Sequence, residues 1–233
     1  MLNATTIVVG IQEHDMSPQR CGWSRSPLMI EYHDAEWGVP SYDDRHLFEH
    51  LTLEGAQAGL NWELVLKKRD GYRKAFAEYD LSQIAGFEEA AIENLVLDPG
   101  IIRNRLKIVS VVANARAGMA VQREFGSLSK YMWDLSGGKP RQNSWRADSE
   151  MPANTPDSAR ISKDMLKRGF KFVGPTGIYA FMQAVGMVND HILPCFRHAE
   201  VAGLAIKALR DRPARSTPRP DARSRPVHRD ERA

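Results

Sequence analysis

Lys167-Arg168-Gly169-Phe170-Lys171-Phe172-Val173-Gly174 lies between two stretches of helical periodicity. Upstream, from Asp157, the apolar residues Ile161, Met165 and Leu166 recur at the spacing of one helical face. Downstream, Tyr179, Phe181, Met182 and Val185 do the same as far as Gly186. Two glycines bracketing a tight hairpin free main-chain amides, and the N-terminus of the second helix adds the positive end of its dipole. Together they make a phosphate site that is blind to sequence and positions a duplex rather than reading it. Lys167, Arg168, Gly169, Lys171 and Gly174 are the candidate backbone contacts. Alone, Gly-x4-Gly between helices is more often an ordinary turn.

Outward from the hairpin the rest of the chain reads as helix. Leu47, Phe48 and Leu51 form an apolar stripe, with Ser41 and Asp44 resembling a capping box at its start. The stripe runs into Leu53-Glu54-Gly55-Ala56-Gln57-Ala58-Gly59-Leu60-Asn61-Trp62. A helix is predicted over Glu63 to Glu78, broken by Gly71, with Asp80 capping a short turn and Phe87 to Leu97 forming the next helix. Asp98-Pro99-Gly100 signals a turn that opens a helix from Ile101 to about Met119, and Tyr131 to Leu135 gives one more helical turn. Residues 136–156, rich in Gly, Pro, Ser and Asn, read as a loop. No segment sustains period-two alternation with β-branched enrichment, so the expected class is all-α.

The chain has 233 residues and a net charge of +3, enough length for a core without staples. The charge is unevenly placed: residues 207–233 carry nine Lys/Arg against four acids, leaving the rest of the chain at −2. A nucleic-acid partner must therefore meet a local basic patch. The expected organisation is a poorly ordered leader at 1–19, a domain over 20–206 and a disordered Arg/Pro-rich tail at 207–233. Met16, just ahead of the first dense motif, is a candidate native start beside Met1. No apolar run is long enough to span a bilayer, and the first ten residues lack a basic n-region, so the default compartment is the cytoplasm.

Three constellations carry chemistry. Glu54 stands among apolar and small residues that let a planar ligand come close. The reading of a solvated helix-end glutamate weighs about equally on pattern alone. Cys21, His33, His191 and Cys195 make a two-thiol, two-imidazole set that suits tetrahedral zinc. With four protein ligands such a site is structural, joining the two ends of the domain. The alternative, a core histidine and unlinked thiols, stays open because Cys-x11-His is not a standard finger spacing. Trp23, Tyr32, Trp37 and Trp62 offer faces that stack on bases, although such aromatics are more often core, as expected for Trp37.

Several long stretches stand in one order: Arg20-Cys21-Gly22-Trp23; Tyr32-His33-Asp34-Ala35-Glu36-Trp37-Gly38-Val39-Pro40; Leu53 to Trp62; Gly100-Ile101-Ile102-Arg103-Asn104-Arg105; Lys167 to Gly174; and Gly186-Met187-Val188-Asn189-Asp190-His191. Over roughly 20–196 the chain resembles the DNA-3-methyladenine glycosylase I family of the helix-hairpin-helix DNA glycosylase superfamily. The resemblance implies an all-helical enzyme with a structural Zn2+ at Cys21, His33, His191 and Cys195. It also implies a base pocket in which Glu54 hydrogen-bonds the lesion, Tyr32 and Trp62 stack on it and Trp23 lies nearby. Met29 and Ala180 depart from the tyrosine and serine of well-known members. Asn189 takes the place of the superfamily's usual catalytic aspartate, which implies a mechanism that leans on a cationic substrate. The implied partner is double-stranded DNA containing alkylated adenine, with no membrane and a monomeric chain. A zinc-clasped, non-catalytic DNA-binding module keeps the hairpin but has no use for Glu54. A zinc hydrolase needs an open coordination position that four protein ligands do not leave.

Overall fold

A computed structural model describes residues 18–211; the expectations for residues 1–17 and 212–233 lie outside the described residues. Eleven α-helices follow one another among them: α1 (Pro27–Ala35), α2 (Asp44–Gln57), α3 (Trp62–Leu66), α4 (Arg69–Ala75), α5 (Leu81–Ala85), α6 (Glu89–Leu97), α7 (Arg105–Phe125), α8 (Leu128–Leu135), α9 (Pro156–Lys167), α10 (Pro175–Ala184) and α11 (Phe196–Asp211). The all-α class expected from periodicity holds. One exception is a two-residue parallel ladder, β1 (Arg141–Gln142) on β2 (Val188–Asn189), too short to leave a pattern in the sequence. Among the described residues no helix is long and apolar enough to cross a membrane.

Short polar residues set most helix starts. Ser26, Asp43, Asn61, Asp80, Asn104, Ser127 and Thr155 each accept a hydrogen bond from a first-turn amide. Asp80 therefore caps as expected. The expected Ser41–Asp44 box does not form: Asp43 is the cap, and Asp44 instead accepts from Gln122 Nε2 and the amides of Leu128 and Ser129, tying α2 to the start of α8. The helix expected from Ile101 begins later, because Asn104 caps α7 by accepting from Lys107 N. α11 carries the chain in helix past residue 207 to Asp211, beyond the expected domain end.

α2 is the buried axis of the molecule, with every residue from Leu47 to Ala56 in the interior. α10, α8, α7 and α3 pack around it, while α7 also packs against α5 and α6, and α9 against α10. A helix buried on all sides belongs to a core, so its polar residues Glu49, His50 and Glu54 each need a partner or a purpose.

Gly71 corrects another expectation. It does not break a helix but lies inside α4, and the predicted Glu63–Glu78 helix is interrupted instead between Leu66 and Arg69. A Cβ at Gly71 would lie 2.1 Å from the carbonyl oxygen of Gly100. The glycine is there for backbone-to-backbone approach. Neither backbone can swing away as a side-chain tip does, so Gly71→Ala is expected to cost about 3 kcal/mol, the upper range for overpacking. Chemical denaturation of the purified variant checks this, and an unchanged midpoint would contradict it.

Candidate active site

The interior helix α2 delivers Glu54 to the floor of a cavity of about 300 Å³. α1 contributes Tyr32 and Met29, the turn before it Trp23, the start of α3 Trp62, and α10 contributes Ala180 and Gln183. The structure thus brings Glu54, Tyr32, Trp62 and Trp23 into one wall. Tyr32 and Trp62 have ring centroids 5.5 Å apart, and Trp23 stands 6.4 Å from Tyr32. Trp37, read as plain core, is buried as expected yet also lines the cavity, edge-on to Trp23 at 4.9 Å.

The electrostatics of Glu54 are unusual. Its Oε2 is sealed from solvent and meets no hydrogen-bond partner, as does Trp62 Nε1 in the same wall. Burial pushes the Glu54 carboxyl up to about 8. Burial, then the neighbouring Glu54 charge, pushes the Tyr32 phenol well up, so it remains neutral. Buried polar atoms without partners are uncommon in finished cores, and two of those present here belong to residues that line this cavity.

Glu54, Gln57 and Ala180 are shared with a second cavity of about 410 Å³ that opens toward the hairpin and is lined by Ala58, Gly59, Leu60, Phe172, Gly174, Thr176 and Gly177. The N-terminus of α10 faces this space. Gly174 caps that helix with no side chain to occupy its amides, and Pro175 follows. Among the described residues lining the two cavities, Glu54 is the single charged side chain.

The hairpin itself is held from behind. Asn114 of α7, which sequence reasoning passed over, donates from Nδ2 to the Lys171 carbonyl at 3.1 Å and accepts from Lys171 N at 2.7 Å. Gly169 and Phe172 both adopt left-handed φ, +93° and +55°. Arg168 is committed to the fold rather than presented outward: it pairs with Glu124 and Asp164 and lies over the rings of Phe125 and Tyr131. Lys167 and Lys171 are exposed. Lys107, also unforeseen, donates to the Ala56 and Ala58 carbonyls at 2.7 Å each and so closes the C-terminal end of α2 behind Glu54.

A buried ion network supports the opposite end of the wall. Burial opposes ionisation of Glu36, but hydrogen bonds from His46, His50 and Arg69 hold its carboxyl well below the usual range. Arg69 also donates to Glu49. His50, neutral because burial lowers it, stacks behind both Tyr32 and Trp62.

Cys21, His33, His191 and Cys195 come together, all buried, with their donor atoms within 4.8 Å of one another. Cys21 Sγ and Cys195 Sγ lie 3.7 and 3.5 Å from His191 Nδ1; Cys195 Sγ is 3.4 Å from His33 Nε2, and the two ring nitrogens are 3.2 Å apart. A zinc tetrahedron with Zn–S of about 2.3 Å and Zn–N of about 2.0–2.1 Å has sulfur–nitrogen edges of ~3.5 Å and a nitrogen–nitrogen edge of ~3.3 Å. The tautomers agree with it. His33 Nδ1 donates to Asp34 at 2.7 Å, and His191 Nε2 donates to the Trp37 carbonyl at 3.0 Å. Each ring therefore turns its other nitrogen toward the two sulfurs, the orientation that metal-ligating imidazoles take. Asn189, which the resemblance sets in place of a catalytic aspartate, is held by the fold: its Nδ2 donates to Gln142 and to the His198 carbonyl.

Residues 23–198 match the family model described as methyladenine glycosylase. DNA-3-methyladenine glycosylase 1 of Escherichia coli (strain K12) is 47% identical over 178 residues, 76% of this chain and 95% of that protein. A crystal structure of 3-methyladenine DNA glycosylase I aligns with a TM-score of 0.75 at 48% identity, covering 76% of this chain and 98% of that one. A variant of 3-methyladenine DNA glycosylase I in complex with 3-methyladenine aligns with a TM-score of 0.74 at 31% identity, over 76% of this chain and 96% of that one.

Proposed function

We propose that this chain, which belongs to the methyladenine glycosylase family, is a base-excision-repair DNA glycosylase that hydrolyses the N-glycosidic bond of 3-methyladenine in alkylated DNA. The free base leaves and an abasic site remains. One observation carries the reading: Glu54, buried and with no partner at Oε2, lines an aromatic cavity with no other Asp, Glu, Lys, Arg or His among its lining residues.

Adenine alkylated at N3 is a cation within DNA and departs as a neutral base, so a strong general acid adds little. The enzyme must instead extrude the nucleotide and hold a cationic ring. Tyr32 and Trp62 supply electron-rich faces, with Trp23 beside them. Glu54 accepts from the exocyclic amine, and its charge favours the cation over ordinary adenine; a preorganised group of this kind is typically worth ~3 kcal/mol in the transition state. The sugar left behind is oxocarbenium-like, and water completes the hydrolysis. The second cavity, with the α10 N-terminus and the hairpin amides at its edge, suits the phosphodiester backbone beside the extruded nucleotide. Lys167 and Lys171 add screening charge there, while Arg168 serves by holding the hairpin in place.

Cys21, His33, His191 and Cys195 would hold a structural zinc. A cross-link is what the metal supplies, with no coordination position left for a reacting water. The same reading takes double-stranded DNA as the partner, a single copy of the chain as the working unit and the cytoplasm as its compartment.

The test is release of free 3-methyladenine from methylated DNA by the purified protein. A folded protein that binds the DNA and releases nothing would leave the non-catalytic DNA-binding module as the reading. Among the described residues no lysine lines either cavity, and the reading expects a monofunctional enzyme without a Schiff-base step. Borohydride treatment during turnover is expected to trap no protein–DNA adduct, and a trapped adduct would show lyase chemistry.

A further inference from the structure

Asp190 is fully buried and accepts four hydrogen bonds. Asn143 Nδ2 and Trp145 Nε1 reach Oδ1 at 2.6 and 2.8 Å; Tyr179 Oη and Gln183 Nε2 reach Oδ2 at 2.6 and 2.7 Å. The Asp190 carboxylate accepts and cannot donate, so it fixes which end of the Gln183 amide it receives: the nitrogen. Gln183 lines the cavity that Glu54 floors. Its Oε1 meets no protein donor among the described residues, and it is not among the buried atoms cut off from solvent. The amide is thus oriented by a buried negative charge at one end and open at the other.

We propose that Gln183 is a specificity-determining residue whose Oε1 serves as a second negative pole of the base pocket, oriented by Asp190, and selects the cationic purine. This rests on the glycosylase reading given above. A carboxylate hydrogen-bonded to the NH2 end polarises the amide, so the oxygen carries more negative charge than in a free glutamine. The device favours a cation without placing a second titratable group in the cavity. It also gives a purpose to Gln183 on the cavity side of α10, one turn beyond Ala180 in the same wall. Asp190 is a positioning residue: it acts only through the amide it holds.

The experiment compares wild type with Gln183→Met and Gln183→Leu, both of which keep side-chain bulk and remove the acceptor. Two quantities are read for each: kcat/KM for excision of 3-methyladenine from duplex DNA, and affinity for a duplex carrying 3-deaza-3-methyladenine, an uncharged carbon isostere. Excision is expected to fall at least tenfold, while binding of the uncharged isostere stays within about twofold of wild type. Loss of both in parallel in both variants would mean that Gln183 only shapes the fold, and excision within threefold of wild type would mean that it does nothing to the cation. Either result overturns the inference while the glycosylase reading stands. A wild-type protein that releases no base would overturn the reading and this inference together.

Discussion

Glu54→Gln is expected to abolish 3-methyladenine release, with a loss of at least two orders of magnitude, and to make the protein more stable. Both effects come from the same cause. Burial, with no compensating partner at Oε2, raises the Glu54 carboxyl from 4.5 to about 8. In the empty enzyme at pH 7 the group is roughly nine-tenths protonated. A cationic purine entering the cavity reverses that balance by supplying the opposite charge that the protein withholds. The amide can accept from the exocyclic amine but carries no charge, so it loses the electrostatic share of transition-state binding.

The sign of the stability change follows from linkage. A carboxyl whose folded value lies above its unfolded value contributes its stability in full below about 4.5, and that stability is lost as pH rises toward 8. At 1.36 kcal/mol per unit, the ionisable form is penalised by about 3 kcal/mol at pH 7 and by about 5 kcal/mol above pH 8. The amide is exempt from the penalty. The advantage of Glu54→Gln in urea unfolding is therefore expected to be near zero at pH 4.5 and to grow with pH up to about 8. An advantage that stays constant across that range would show that the Glu54 carboxyl is not raised. Activity follows the same group: kcat/KM of the wild type is expected to rise with pH, close to tenfold per unit below about 8, because the free enzyme must present the carboxylate.

Periodicity sufficed for the helical class, for the helices on either side of the Lys167–Gly174 hairpin, and for Glu54 at the end of an apolar stripe, because those features are local. The depth at which Glu54 lies was not local. Whether it stands at a solvated helix end or in the interior depends on α10, α8 and α7 closing around α2, and no spacing within residues 44–57 reports this. Gly71 was misread for the same reason: its partner is Gly100, 29 positions away in sequence, and only their approach explains it. Arg168 looked like a phosphate contact beside two lysines, yet Glu124 and Asp164 take its charge. Gln183 left a trace that went unused, a lone amide one turn beyond Ala180 on α10. Its meaning required Asp190, which the short β1–β2 ladder and the loop carrying Asn143 and Trp145 enclose.

With zinc held by the four residues as proposed, His33→Ala is expected to release the metal and to remove most of the stability that it supplies. With Asp34 accepting from His33 Nδ1 and the Trp37 carbonyl from His191 Nε2, the other two ring nitrogens face one another 3.2 Å apart and also face the sulfurs. Two thiols and two imidazole nitrogens converging in the interior suit one buried cation, whose binding would couple to folding. Cys21 and His191 are 170 positions apart, so the link closes almost the whole domain. In the chain-entropy model a cross-link over so long a loop is worth about 5 kcal/mol. Removing one ligand is expected to forfeit most of that, lowering the melting temperature and leaving less than one zinc per chain. Asp34→Asn provides the graded case. It keeps all four ligands but weakens the carboxylate that orients His33 and that Arg20 grips from outside. Zinc affinity should then fall about 10- to 100-fold, read by competition with a chromogenic chelator. A protein that purifies without zinc and melts at the same temperature with and without chelator would show that the four residues are an ordinary buried cluster.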